Sequence, residues 1–148
     1  MISQTQSPII EVVARGIAPF IQLLGIYVFF HGHYGPGGGF QGGVLLAAGV
    51  MLLRMSMGSS YSQAHITSKT TVALCGLGSL IFAGTGLAAI LGGGEFMDYH
   101  FLPLPGLEGA DLRYYGILLV EVGITIAVMT GLVAIYDDLL GISHAGNN

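Results

Sequence analysis

The residue best placed to do chemistry in this chain is a carboxylate inside an apolar run. Glu121 stands between Val120 and Val122, with Thr125 one helical turn further on. An acid at the centre of a membrane-spanning helix costs ~2.5 kcal/mol or more even on permissive insertion scales. Glu121 must therefore face protein or water, where it can bind and release a proton, with Thr125 as an oxygen ligand or water partner. His31 and His33 form a second group, because histidine titrates near neutral pH. Two histidines two residues apart with no third ligand nearby make a poor metal site, so no metal is expected. The lone cysteine, Cys75, excludes an internal disulfide and a cysteine zinc cage, and it sits in an apolar stretch where it should pack as a small hydrophobe. An iron–sulfur cluster would need a set of cysteines. No catalytic centre and no cofactor are expected. The four basic residues, Arg15, Arg54, Lys69 and Arg113, form no cluster, which argues against a nucleic-acid partner.

The elements that position these groups are read from hydropathy. Hydrophobic residues make up 53% of the 148-residue chain and charged residues only 8%, against roughly 25% charged in a soluble domain. So few charges cannot cover a soluble surface, and most of the chain must face lipid or protein. Apolar stretches at about 9–30, 40–57, 70–91 and 114–136 predict an all-α, polytopic integral membrane protein of about four transmembrane helices, forming a single membrane domain. The N-terminus lacks the basic region and cleavage site of a signal peptide, so the first span should be retained. Ser7 is a candidate cap for that span, Pro8 suits its first position and Pro19 should kink it. Glu11 and Arg15, four apart, should pair on one face at the membrane surface. An even number of spans puts both termini on one side with Arg15, Arg54 and Lys69. Basic residues favour the cytoplasm, so the expectation is a multi-pass protein of the cell membrane with cytoplasmic termini. The glycine- and proline-rich loop 92–113 is then external, and it should fold back onto the bundle or cover a neighbour.

Helices in lipid associate through small residues. Gly39, Gly43 and Ala47 recur every four residues in the second span. Gly76, Gly84 and Ala88 share a face of the third, beside Ser79 and Ala83. Gly116, Gly123, Ala127 and Gly131 form a stripe on the fourth. Glu121 lies more than about 90° from that stripe, at roughly 100° per residue. The fourth span should then need protein or water on two opposite faces, which points to membership of a larger membrane complex. With the span opening near Tyr115, Glu121 would lie roughly 9 Å inside it.

Between the first two spans runs HGHYGPGGGFQGG, from His31 to Gly43, with seven glycines and one proline in thirteen residues. Such a stretch cannot be regular helix throughout. Irregular backbone at membrane depth persists only where protein or a water-filled cavity satisfies it. A phosphate cradle is disfavoured, since no Gly-Lys-Ser/Thr ending follows and no strand precedes. A tight turn that lets two helices approach, and a part in ion or proton access, both remain open.

This motif, followed by an apolar helix, resembles the signature of the small B-type subunit of Mrp-type multisubunit sodium/proton antiporters. The same small subunit occurs in related archaeal membrane-bound hydrogenases and sulfur-reducing complexes. The resemblance runs from the first span to the acid in the fourth. It implies a non-catalytic membrane protein that works with partner subunits in sodium/proton exchange, or one that scaffolds larger subunits of a redox-driven complex without carrying ions. It carries His33, Pro36, Gly37, Gly38, Gly39, Phe40 and Gly43 over as motif positions, with Gly42 among them, and Glu121 as the acidic position. On the first reading Glu121 titrates and His31 and His33 sit at the external mouth. Sodium prefers hard oxygen ligands, and one carboxylate is not a complete site, so neighbours must supply the rest.

Overall fold

The computed structural model describes residues 7–32, 35–57, 68–106 and 108–139. It contains four long helices: α1 (Pro8–His31), α2 (Gly39–Met57), α3 (Ser68–Leu91) and α4 (Gly109–Leu139). All four are long and apolar enough to cross a membrane. A single 3-10 turn, Tyr99–Phe101, lies in the connection between α3 and α4. There is no strand among the described residues.

Local chemistry sets the helix boundaries. Pro8 occupies the first position of α1, where its missing N–H costs nothing. Ser7 precedes it but contributes its backbone, its carbonyl accepting from Glu11 N at 3.3 Å, and its hydroxyl makes no cap. The helix runs unbroken through Pro19. Arg15 Nη2 donates to Glu11 Oε1 at 2.6 Å on the exposed face, as the spacing predicts. The fourth helix opens at Gly109, before Tyr114, so Glu121 lies twelve residues in, roughly 18 Å along the helix axis.

The helices pack in the order α1–α2–α4–α3, a single row with α2 and α4 inside and α1 and α3 on the flanks. Close approach at glycine joins each neighbouring pair. Gly25 of α1 and Gly42 of α2 face each other, and a Cβ on either would meet the other's carbonyl oxygen at 3.2 or 3.0 Å. Gly78 of α3 and Gly123 of α4 do the same at 2.6 and 2.9 Å. The glycine stripe of α4 thus faces α3 and the connecting loop, with Gly131 against Cys75 Sγ and Gly116 against Tyr99 and Leu102. Its opposite side faces α2. Both faces of α4 are therefore covered within this chain, so the need for a second face does not by itself demand a partner subunit.

The expected face of α3 is only partly used within this chain: Ala88 packs against the Ala89, Leu102 and Leu112 cluster, while Gly76 and Gly84 meet nothing within 4 Å. The buried line is instead Thr71, Gly78, Thr85, Gly86 and Ala89, because Gly78 is the position that lets the α3 backbone reach Gly123.

The connection between α3 and α4 folds back as expected. Asp98 Oδ1 accepts from His100 N at 3.2 Å and caps the 3-10 turn. Leu102 is buried with Ala89 and Leu112. Phe96 lies over Gly86 and Phe101 over Gly94, where any Cβ would collide with the rings.

α2 and α4 run parallel, and α2 begins level with Glu121. α1 and α2 therefore meet the turn near that level, while α3 and α4 continue past it by about three turns.

Candidate functional site

The glycine motif and Glu121 come together. Gly32 closes α1 in the right-handed region, and its N–H donates to Phe29 O at 3.4 Å. The chain then turns back so that Gly38 N donates to Val28 O at 3.2 Å. Gly37 lies against that same carbonyl, where a Cβ would come within 2.7 Å of the oxygen. Gly38 adopts φ +111°, a conformation that side-chain-bearing residues rarely take. Its carbonyl accepts the first rung of α2, from Gly42 N at 3.0 Å.

This turn brings backbone against a carboxylate. A Cβ on Gly38 would lie 3.1 Å from Glu121 Oε1. A Cβ on Gly39 would overlap the Glu121 carbonyl oxygen outright and sit 3.1 Å from its Cα. Thr125 ties the seam, its hydroxyl placed to donate to Gly39 O at 3.1 Å and to Glu121 O at 2.8 Å. One turn down, Gly43 packs against Thr125 O and Val128. Glu121 Oε2 is occluded within the chain itself. The carboxylate thus sits at the N-terminal end of α2, where the first-turn N–H groups have no acceptor inside the helix and the dipole favours negative charge.

The other candidates lie around this contact. His31 is exposed, its ring stacked on Tyr27 at 5.3 Å between centroids, and its Nε2 is 3.2 Å from where a Gly35 Cβ would lie. His33 lies outside the described residues. Phe40 is exposed, as is Pro36, and Gly37 is half-buried. Gly42 belongs to the α1 contact; Gly39 and Gly43 belong to the α4 contact. Tyr99, in the connecting loop, packs over Gly116 of α4. Burial first, and the nearby charge of Glu121 second, push its phenol above the usual tyrosine range.

One pairing emerges only in the structure. Arg54 Nη1 and Asp137 Oδ1 form an ion pair between α2 and α4, with both side chains wholly inside the protein. In the sequence Arg54 serves as a charge marking the cytoplasmic side. Its position within the second apolar stretch is the signal that points further, since a basic residue inside a span needs a partner.

A multi-pass helical membrane protein with an internal carboxylate facing a glycine-rich turn is the class that fold and site define. Residues 9–134 match the family described as "Domain related to MnhB subunit of Na+/H+ antiporter", and the chain belongs to that family. It is similar to the B-type subunit of the Na(+)/H(+) antiporter of Bacillus subtilis, 29% identical over 136 residues that cover 85% of this chain and 92% of the relative. It is 27% identical over 128 residues to a probable K(+)/H(+) antiporter subunit, of A/B type, from Rhizobium meliloti, covering 82% of this chain and 13% of that relative. Among solved structures it resembles a chain of the membrane-bound sulfane sulfur reductase, an archaeal respiratory membrane complex. That match has a TM-score of 0.69 and 32% identity, and covers 95% of this chain and 60% of the other. The chain is thus a membrane subunit of the antiporter B type, from a family whose members work inside multisubunit membrane complexes.

Proposed function

We propose that this subunit contributes a titratable step to cation/proton exchange, with Glu121 as the group that gains and loses the proton. The observation that carries the proposal is the placement of its carboxylate, occluded within the chain and set against Gly38 at the N-terminal end of α2. Gly38, at φ +111°, has no side chain to fill the space beside Oε1, which keeps backbone close to the carboxylate. Thr125 holds the seam through its hydroxyl, and its oxygen lone pairs remain able to meet water. His31, with His33 two residues on, lies on the route from the outside. The exchanged cation is sodium on the antiporter reading, and the potassium in one relative's name makes ion identity a matter for measurement. The subunit works without catalysis or cofactor of its own, in the cell membrane, with both termini cytoplasmic. External-side labelling of a cysteine placed after Asn148 would overturn that orientation.

The test is Glu121→Gln, which keeps size and removes the charge. Complex yield and sodium-dependent proton flux are measured in the same membranes. Full yield with lost or pH-shifted exchange supports the ion-path role. Full yield with unchanged flux across pH refutes it. Loss of yield points to a structural ion-pair role, because a partner's charge would be left buried.

The similarity to the sulfane sulfur reductase complex favours a second reading, in which the chain scaffolds larger subunits of a redox-driven assembly. Neighbouring genes for such redox subunits would support it.

A further inference from the structure

We propose that the buried Arg54–Asp137 pair is a positioning device that sets the register of α2 on α4, and so places Gly38 against Glu121. The functional part of this inference rests on the reading that Glu121 carries protons; the register part does not.

The two helices are parallel, and their contacts keep a nearly constant offset. Gly39 meets Glu121, Gly43 meets Thr125 and Val128, Val50 packs in one cluster with Ala47 and Val133, and Arg54 pairs with Asp137 at an offset of 83. Between the two charged ends the α2 side of the seam opens with Gly39, Gly43 and Ala47, small residues spaced four apart, before Val50 and Met51 reach the Val133 cluster. That pattern nearly repeats when α2 slides by one turn. Lipid gives the two helices no hydrophobic preference for one face-to-face contact over another, so the small residues allow close approach without choosing a register. A slide of four residues, roughly 6 Å, would pull Arg54 away from Asp137 and leave two charges that are buried in the protein without each other. It would also carry the positive-φ Gly38 away from Glu121. Buried ion pairs are weak sources of net stability, and fixing register is their best-attested use. The pair lies sixteen residues from Glu121, roughly 24 Å along α4, so it does not touch the proton-carrying group and acts on it only through register.

The experiment uses the full chain assembled in its membrane complex, with Cys75→Ala and nitroxide labels at Met55→Cys and Ile117→Cys. Both sites are exposed. They lie about 31 Å apart along the seam direction in the native register. Three backgrounds are compared: native, Arg54→Met/Asp137→Leu, and the charge swap Arg54→Asp/Asp137→Arg. The native chain should give one narrow electron–electron distance. The apolar pair should give a broadened distribution or a second population displaced by about 6 Å, one turn, with exchange reduced at least several-fold. The swap should recover the narrow native distance and part of the exchange. A narrow native distance in the apolar pair overturns the inference. If the apolar pair is not recovered in membranes, the swap decides: a native distance supports the register role and a displaced one refutes it. A displaced register with unchanged exchange upholds the register role and instead refutes the proton-carrying reading of Glu121.

Discussion

Adding a single methyl group at graded positions along α2 and α3 tests whether close backbone approach at the glycine motif builds the site. At Gly39 the new Cβ collides with the Glu121 carbonyl oxygen, which is backbone and cannot swing away. At Gly43 it would sit 2.9 Å from Thr125 O and 3.0 Å from Val128 Cβ. Ordinary contact begins near 3.4 Å, so the Gly43 variant needs about 0.5 Å of separation (3.4 − 2.9), and Gly39 needs more. At Gly76 nothing lies within 4 Å. Overpacking typically costs ~1–3 kcal/mol, while replacing a mid-helix glycine by alanine returns up to ~1 kcal/mol through helix propensity. Gly39→Ala lies at the first position of α2, where little of that gain is realised, and should lose about 2 kcal/mol. Gly43→Ala should lose roughly 1 kcal/mol or less once the gain is counted. Gly76→Ala should be neutral or slightly stabilising in this chain. The readout is the fraction of the chain recovered in complex after a denaturant or heat step, with exchange measured on what survives. Equal behaviour of the Gly39 and Gly76 variants would mean that α2 and α4 do not touch as described. A loss at Gly76 alone would instead show that the open face of α3 is occupied in the complex.

Other perturbations give separate checks. Gly38→Val puts a β-branched side chain at φ +111° and against Glu121 Oε1, so it should lower complex yield or exchange more than an average loop change. Pro36→Leu should do the same through loss of the rigid turn, and normal yield and exchange in both variants would remove the motif from the site. Leu102→Ala empties a buried position between α3 and α4 and should cost about 2 kcal/mol or more. Faster protease cleavage in the connecting loop is its measurement, and an unchanged rate would show that the loop is not held there. The Tyr99 phenol is raised in the folded protein, so its contribution to loop stability is complete below the unfolded value of about 10 and is lost as pH rises through the folded one. Ultraviolet titration should show late-ionising tyrosine absorbance that Tyr99→Phe reduces, and an unchanged late phase in the variant would refute the assignment.

Much of this architecture is legible because lipid constrains sequence so strongly. Four apolar runs, the Pro8 start, the Glu11–Arg15 pair and the two opposed faces of α4 all follow from length, spacing and angle. The link between Glu121 and the glycine turn is not legible. Periodicity shows which face a residue occupies but not which neighbour it meets, and the contacting residues of α2 and α4 are separated by more than eighty positions of sequence. The α3 face misleads for a related reason. Gly76 and Gly84 look like a contact stripe, yet the helix turns Gly78 inward because Gly123 lies opposite. The Arg54–Asp137 pair stays hidden while Arg54 is treated as a marker of the cytoplasmic side. It becomes visible only when the two helices are laid side by side in parallel.

The unequal heights of the helices also act on the surrounding lipid. α2 is 19 residues long, about 28 Å, which roughly equals the hydrocarbon thickness of a typical bilayer. α4 is 31 residues long, about 46 Å. The flanking helices α1 and α3 are equal at 24 residues each but are offset along the seam, so a flat bilayer cannot match the ends of both at once. Annular lipid meets a low rim where α1 and α2 end at the glycine turn and a higher one beside α3 and α4, where Tyr114 and Tyr115 are residue types that prefer the headgroup layer. The glycine turn lies where the height changes. Bilayers of different acyl-chain length would load that position differently, which makes lipid thickness a variable that can tune this protein without altering a residue.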